Sequence, residues 1–215
     1  MAWKRAPGTP ASKIATPAIR KLLLGRKLQY KARGHADRPI FNKGSNNNLA
    51  VPNKPTYNPV TKKWTLHVQR HEGWNAKDYR KKTDAMIKAG RDGKLRYVDD
   101  TKPERKGAQA KKRDLQEEKA IRRAIKMEDR GNVEGAQKYL DKRLRVLDTQ
   151  EADHIRELQI GGKDQLHNNL RMIDAETNNG MGTQLRSQIV QATGMGMKDG
   201  DLIEIVELPG IRRNI

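Results

Sequence analysis

The chain has 215 residues, only 34% of them hydrophobic and 4% aromatic, a lean supply for one large core, and a small core beside polar helices is expected. Its formal net charge of +19 exceeds what solubility needs and points to a polyanionic partner, above all nucleic acid, whose phosphates release counterions to Lys and Arg. The absence of cysteine excludes disulfides, thiolate catalysis and Cys-bound zinc, and no apolar run nears the roughly 20 residues of a membrane helix.

Residues 1–36 carry bases and no acid, interleaved with Pro, Gly, Ala and Ser, and read as a basic arm with one short helix around Pro17 to Lys27. Leu22-Leu23-Leu24 is too short for the apolar segment of a cleaved signal peptide. Residues 37–60 are Asn-, Pro- and Gly-rich loop, and the alternation from Tyr57 to Val68 predicts a short hairpin. A helix follows, with Asn75 as its cap, Met86 and Ile87 on its apolar face, and Gly90 closing it. From Lys106 to Leu147 dense mixed charge and sparse apolar residues predict two helices broken at Gly131-Asn132, a helical hairpin with Ala136, Leu140 and Leu144 at spacings of four. The chain thus divides into a basic N-terminal region (1–73), a charged helical region (74–148) and a C-terminal segment (149–215) that carries the chemistry.

That segment runs Glu151-Ala152-Asp153-His154-Ile155-Arg156-Glu157-Leu158-Gln159-Ile160-Gly161-Gly162-Lys163-Asp164, then Asn169-Leu170-Arg171-Met172-Ile173-Asp174, then Asn178-Asn179. An Asp beside a His supplies a hard oxygen ligand and a base. Gly161-Gly162 permits a tight turn after a short apolar strand, and Leu170 to Ile173 supplies the returning strand. Asn178 then stands at the mouth of a helix containing Leu185 and Ile189 and stopping near Gly194, where it doubles as a candidate N-cap. Adjacent residues on a regular strand face opposite ways, so Asp153 and His154 serve one site only if the backbone bends or they flank it from different sides. Glu157 reads as an ion-pair partner, His167 as an exposed loop residue, and Trp3, Trp64 and Trp74 as core anchors. His35, His67 and His71 lack a consistent ligand spacing.

Asp-His-Ile, Gly-Gly, Asn-Leu and a further Asn nine positions on resemble the HNH (ββα-metal) nuclease motif. The longer string from Asp153 to Asp164 resembles HNH-type domains at the C-termini of bacterial polymorphic toxins; the match covers about residues 150 to 190. It implies a C-terminal ββα-metal motif, which with the helical-hairpin scaffold and the basic, partly irregular N-terminal region makes an α+β, mainly helical fold. It also implies a metal-dependent, largely sequence-non-specific DNA endonuclease. By residue, Asp153 resembles the metal-binding acid, His154 the general base, Asn169 the amide that staples the loop and orients the histidine, and Asn178 the last metal ligand, with Asn179 taking that role if the register slips by one. One divalent ion is expected, Mg²⁺ most simply, with Mn²⁺ or Ni²⁺ as alternatives. Arg156, Lys163, Arg171 and Arg186 are the expected phosphate contacts. The chain departs from the pattern in lacking zinc-binding Cys-x-x-Cys pairs and in having Glu157 where proline is common and Met181 where a base is common. As a toxin it would be delivered without a cleaved signal peptide, act in the target-cell cytoplasm, and be blocked by an acidic immunity protein. The competing readings are an RNA-cleaving or mobile-element nuclease, a catalytically inactive nucleic-acid-binding protein, and a delivery module.

Overall fold

The computed structural model describes residues 53–99 and 108–211. The expected basic arm, its short helix, Trp3, His35 and most of the Asn-rich loop lie outside them. The architecture is α+β, with strands β1 (Thr56–Asn58), β2 (Lys63–His71), β3 (Gln150–His154), β4 (Leu170–Asp174) and β5 (Leu202–Ile211), and helices α1 (Ala76–Arg91), α2 (Ala108–Glu128), α3 (Val133–Asp148) and α4 (Ala175–Gly194). Two compact units result, and they are not consecutive in sequence: residues 113–149 make one, and the described residues on either side make the other.

The first unit is the expected helical hairpin. Gly131, at φ 84°, makes the break, and the Asn132 side chain accepts from Gly135 N at 2.9 Å to cap α3. Arg113 near the start of α2 pairs with Asp148 at the end of α3 (3.2 Å), so the helices run antiparallel. Ala120, Ile121, Ala124 and Ile125 on α2 and Ala136, Leu140, Leu144 and Leu147 on α3 are buried, while charge covers the remaining faces.

In the second unit β1 and β2 form the expected hairpin, and β5 adds parallel to the other edge of β2. Helices α1 and α4 pack on this sheet over a core of Trp64, Leu66, Val68, Trp74, Met86, Leu185, Ile189, Ile203 and Ile205. The Asn75 side chain accepts from Lys77 N and Asp78 N at 3.1 Å, starting α1 as expected. The helix ends at Arg91, where expected; Gly90 lies in its last turn, where a side chain would come within 3.1 Å of the β5 backbone at Glu204, and the chain turns at Gly93, φ 67°.

Because β1 is short, the flank of β2 beyond Thr65 has no strand partner among the described residues. Two glutamines of α4 replace it. Gln188 accepts from His67 N (2.7 Å) and donates to His67 O (2.6 Å); Gln184 does the same for Gln69 N (3.0 Å) and O (2.9 Å). Four helical residues rise ~6.0 Å and two strand residues ~6.6 Å, so side-chain amides at i and i+4 match alternate strand residues.

Candidate metal and acid-base site

Strands β3 and β4 pair antiparallel, with Asp153 opposite Arg171 and His154 opposite Leu170. The apolar segment expected to prolong β3 up to the glycines is not a strand. β3 ends at His154, and Leu158–Ile160 is a single 3-10 turn. The reason lies in Asn169, which takes over the backbone groups a strand would have used. Its Oδ1 accepts from Arg156 N (2.8 Å), and its Nδ2 donates to Arg156 O and Lys163 O (2.9 Å each). Gly162 lies so close to Arg156 that a Cβ would stand 1.9 Å from its carbonyl oxygen; no other residue fits there. Asn169 therefore staples the loop.

Asp153 and His154, consecutive and both buried, point to different partners. His154 Nε2 meets Asp164 Oδ1 at 2.8 Å, both side chains being almost wholly enclosed. In the neutral ring, a carboxylate at Nε2 selects the tautomer with the proton on Nε2 and the lone pair on Nδ1. Asp164 has a second anchor, its Oδ2 accepting from Ala108 N at 3.3 Å.

Asp153 instead meets Lys82 of α1, a lysine with no exposed side-chain surface. The Lys82 ammonium donates to Asp153 Oδ2, to Glu157 Oε1 at 2.5 Å and to Asn178 Oδ1 at 3.3 Å. Burial alone would pull the proton off, but the Glu157 and Asp153 carboxylates outweigh it and hold the Lys82 pKa above the ordinary lysine value. The convergence is set one helical turn away. Asp174 N donates to Asp78 Oδ2 (3.0 Å) and Asn75 N to Thr177 Oγ1 (2.8 Å), stitching the starts of α1 and α4 together. Lys82 and Asn178 each follow a stitched aspartate by four residues and so lie on the same faces as Asp78 and Asp174. Asn178 Nδ2 donates to Glu151 Oε2 at 3.2 Å, which turns its Oδ1 toward the ammonium.

Asn178 is not the helix cap. Asp174 is, accepting from Thr177 N at 2.9 Å, so α4 begins a turn earlier and Asn178 lies inside it. Asn178 and not Asn179 supplies the amide oxygen at the cluster. Of the expected phosphate contacts, Lys163 and Arg186 are exposed and Arg156 is half-buried. Arg171 is turned inward: its Nη2 donates to Asp78 O (3.0 Å), and burial lowers its pKa, with Asp78 and Asp153 opposing. Glu157 is the ion-pair partner expected, Trp64 and Trp74 are core anchors, and His167 is exposed. The sequence reading missed Lys82 and gave Asp164 no role. Lys82 was findable, because it stands with Tyr79, Thr83 and Met86 on the helical stripe that had to be buried.

Among the described residues no three His, Asp or Glu side chains are grouped to hold a metal. Two carboxylates and an amide oxygen nevertheless meet at one point, a donor chemistry that suits a hard divalent cation, and the positive charge at that point is an ammonium. No helix of the described residues is long and apolar enough to cross a membrane. Comparison with protein-family models, curated proteins and solved structures found no match.

Proposed function

We propose that the chain is an HNH-type endonuclease that hydrolyses phosphodiester bonds of DNA without strong sequence preference, as the toxic domain of a bacterial effector. The observation that carries this reading is the meeting of Asp153 and Asn178 oxygens at a single cation, with the next residue, His154, held by a carboxylate. Antiparallel β3 and β4 followed directly by α4 give the strand-strand-helix order such a site requires.

Asp153 and Asn178, with Glu157 beside them, would hold Mg²⁺, which when bound neutralises charge on the phosphate and the departing oxygen. The chain's own residues do the rest. Asp164 keeps the proton on His154 Nε2, so Nδ1 takes a proton from water. The hydroxide oxygen bonds to phosphorus as the bond to the 3′ oxygen breaks, leaving a 5′-phosphate and a 3′-hydroxyl that gains its proton from solvent. Asn169 holds the loop that carries Asp164 and Lys163. Exposed Lys163 and Arg186, half-buried Arg156 and the net charge of +19 bind the phosphodiester backbone, a grip that weakens steeply with salt. An acidic immunity protein would cover the same basic surface.

The test is a plasmid-nicking assay of wild type and His154→Ala, in Mg²⁺ and in chelator, with total RNA as a parallel substrate. Wild type nicks DNA only with metal, and His154→Ala loses about 10²–10⁴-fold in rate while retaining DNA binding. Equal nicking by both proteins removes His154 from the mechanism, and nicking in chelator removes the metal. One observation favours a second reading: Lys82 already supplies positive charge to the oxygens a metal would use. A binding protein without catalysis would hold DNA tightly and nick nothing in Mg²⁺, Mn²⁺ or Ni²⁺.

A further inference from the structure

We infer that Lys82 is the resident cation of the cluster, and that a divalent ion reaches Asp153 and Asn178 only by displacing its ammonium. The inference rests on the metal-dependent reading above and deepens it.

The argument is one of position and charge. The ammonium is within hydrogen-bond distance of the same oxygens that would serve the metal. A divalent ion placed there would touch it, and two positive charges in contact inside a protein repel strongly, so the occupants exclude each other. The lysine is no screened surface charge. It leaves the buried face of α1 and has no exposed side-chain surface, whereas Glu157 keeps 21% of its side-chain surface open. Withdrawing it strips two carboxylates of their counter-charge, a state that persists only if an incoming cation takes them over. Glu157 stands where the resembled motif commonly has proline, and its carboxylate is the second anchor of Lys82. The cluster thus holds a cation before any metal arrives, one ammonium shared by two carboxylates. The metal-ready state is a minor one, and apparent metal affinity falls by the fraction of molecules in which Lys82 is withdrawn.

The test titrates Mn²⁺ alone into the full chain, by calorimetry and by thermal unfolding, for wild type, Lys82→Met and Lys82→Arg. Lys82→Met binds Mn²⁺ at least about tenfold more tightly than wild type, and Mn²⁺ restores the melting temperature that the substitution lowers. Lys82→Arg keeps the charge and stays as weak a binder as wild type. Equal Mn²⁺ affinity in wild type and Lys82→Met overturns the inference while leaving the metal site standing, and so does a Lys82→Met chain that remains unfolded in saturating Mn²⁺. No heat and no melting shift in any of the three, together with no metal-dependent nicking by wild type, overturns the metal reading and the inference with it.

Discussion

Two constellations of buried polar side chains lie in the same compact unit, and their contrast separates structure from chemistry. At β2, Gln184 and Gln188 are essentially sealed from solvent, neutral, and matched donor to acceptor with four backbone groups. At β3, Lys82, Asp153, Glu157, Asn178 and the His154–Asp164 pair gather full charges, and Glu157 and Asn178 reach the surface. Both rest on polar residues delivered by a helix to a strand. The first is closed, so it can only hold the sheet edge. The second collects oxygens on one cation beside a carboxylate-held imidazole, the arrangement the proposed chemistry would use. Burial of a polar group is therefore no mark of function by itself; charge and uncommitted bonding capacity are.

The comparison breaks first at Asp164. Asp164→Asn presents an amide N–H to His154 Nε2 and favours the tautomer with its proton on Nδ1. Nicking should fall on the order of 10²-fold or more, approaching His154→Ala, with little change in stability. Full activity in this variant would place Asp164 outside the chemistry. Gln188→Leu should show the opposite signature. It leaves His67 N–H and C=O buried without partners, at about 1–3 kcal/mol each. Chemical denaturation should report a loss of roughly 2–6 kcal/mol, with nicking per folded molecule unchanged. A Gln188→Leu protein that folds normally but does not cut would join the two constellations into one.

These two sites differed in how legible they were from sequence. The Asn75 cap, the β1–β2 hairpin, the break at Gly131-Asn132 and the return strand from Leu170 were readable because each is a local signal acting on its own backbone. Asn169 was readable through the motif around it. Lys82 is 71 residues from Asp153 in the chain, so only the stitched starts of α1 and α4 reveal that they meet. Asn178 carried two signals, cap and ligand, and Asp174 removed the first by starting the helix a turn earlier. The glutamine clamp gave no signal, because Gln is an ordinary helix former and the strand it serves is more than a hundred residues away.

Helix α4 allows a finer test of the premise that neighbours, not residue type, decide a side chain's role. It carries Gly180 and Gly182 two positions apart, and glycine within a helix ordinarily costs ~1 kcal/mol relative to alanine. A Cβ on Gly182 meets nothing within 4 Å, whereas one on Gly180 would stand 1.9 Å from Trp74 Cζ2. Trp74 has little freedom to yield. It is 3% exposed, and its ring lies 5.0 Å from that of His71 and 5.9 Å from that of Tyr79. Gly182→Ala should therefore stabilise by up to ~1 kcal/mol. Gly180→Ala carries the same helical gain but forces Trp74 out of its seat at a cost of ~1–3 kcal/mol, so its net effect is destabilising. Denaturation midpoints moving in opposite directions would support this packing; midpoints moving up together would mean that Trp74 does not rest on α4.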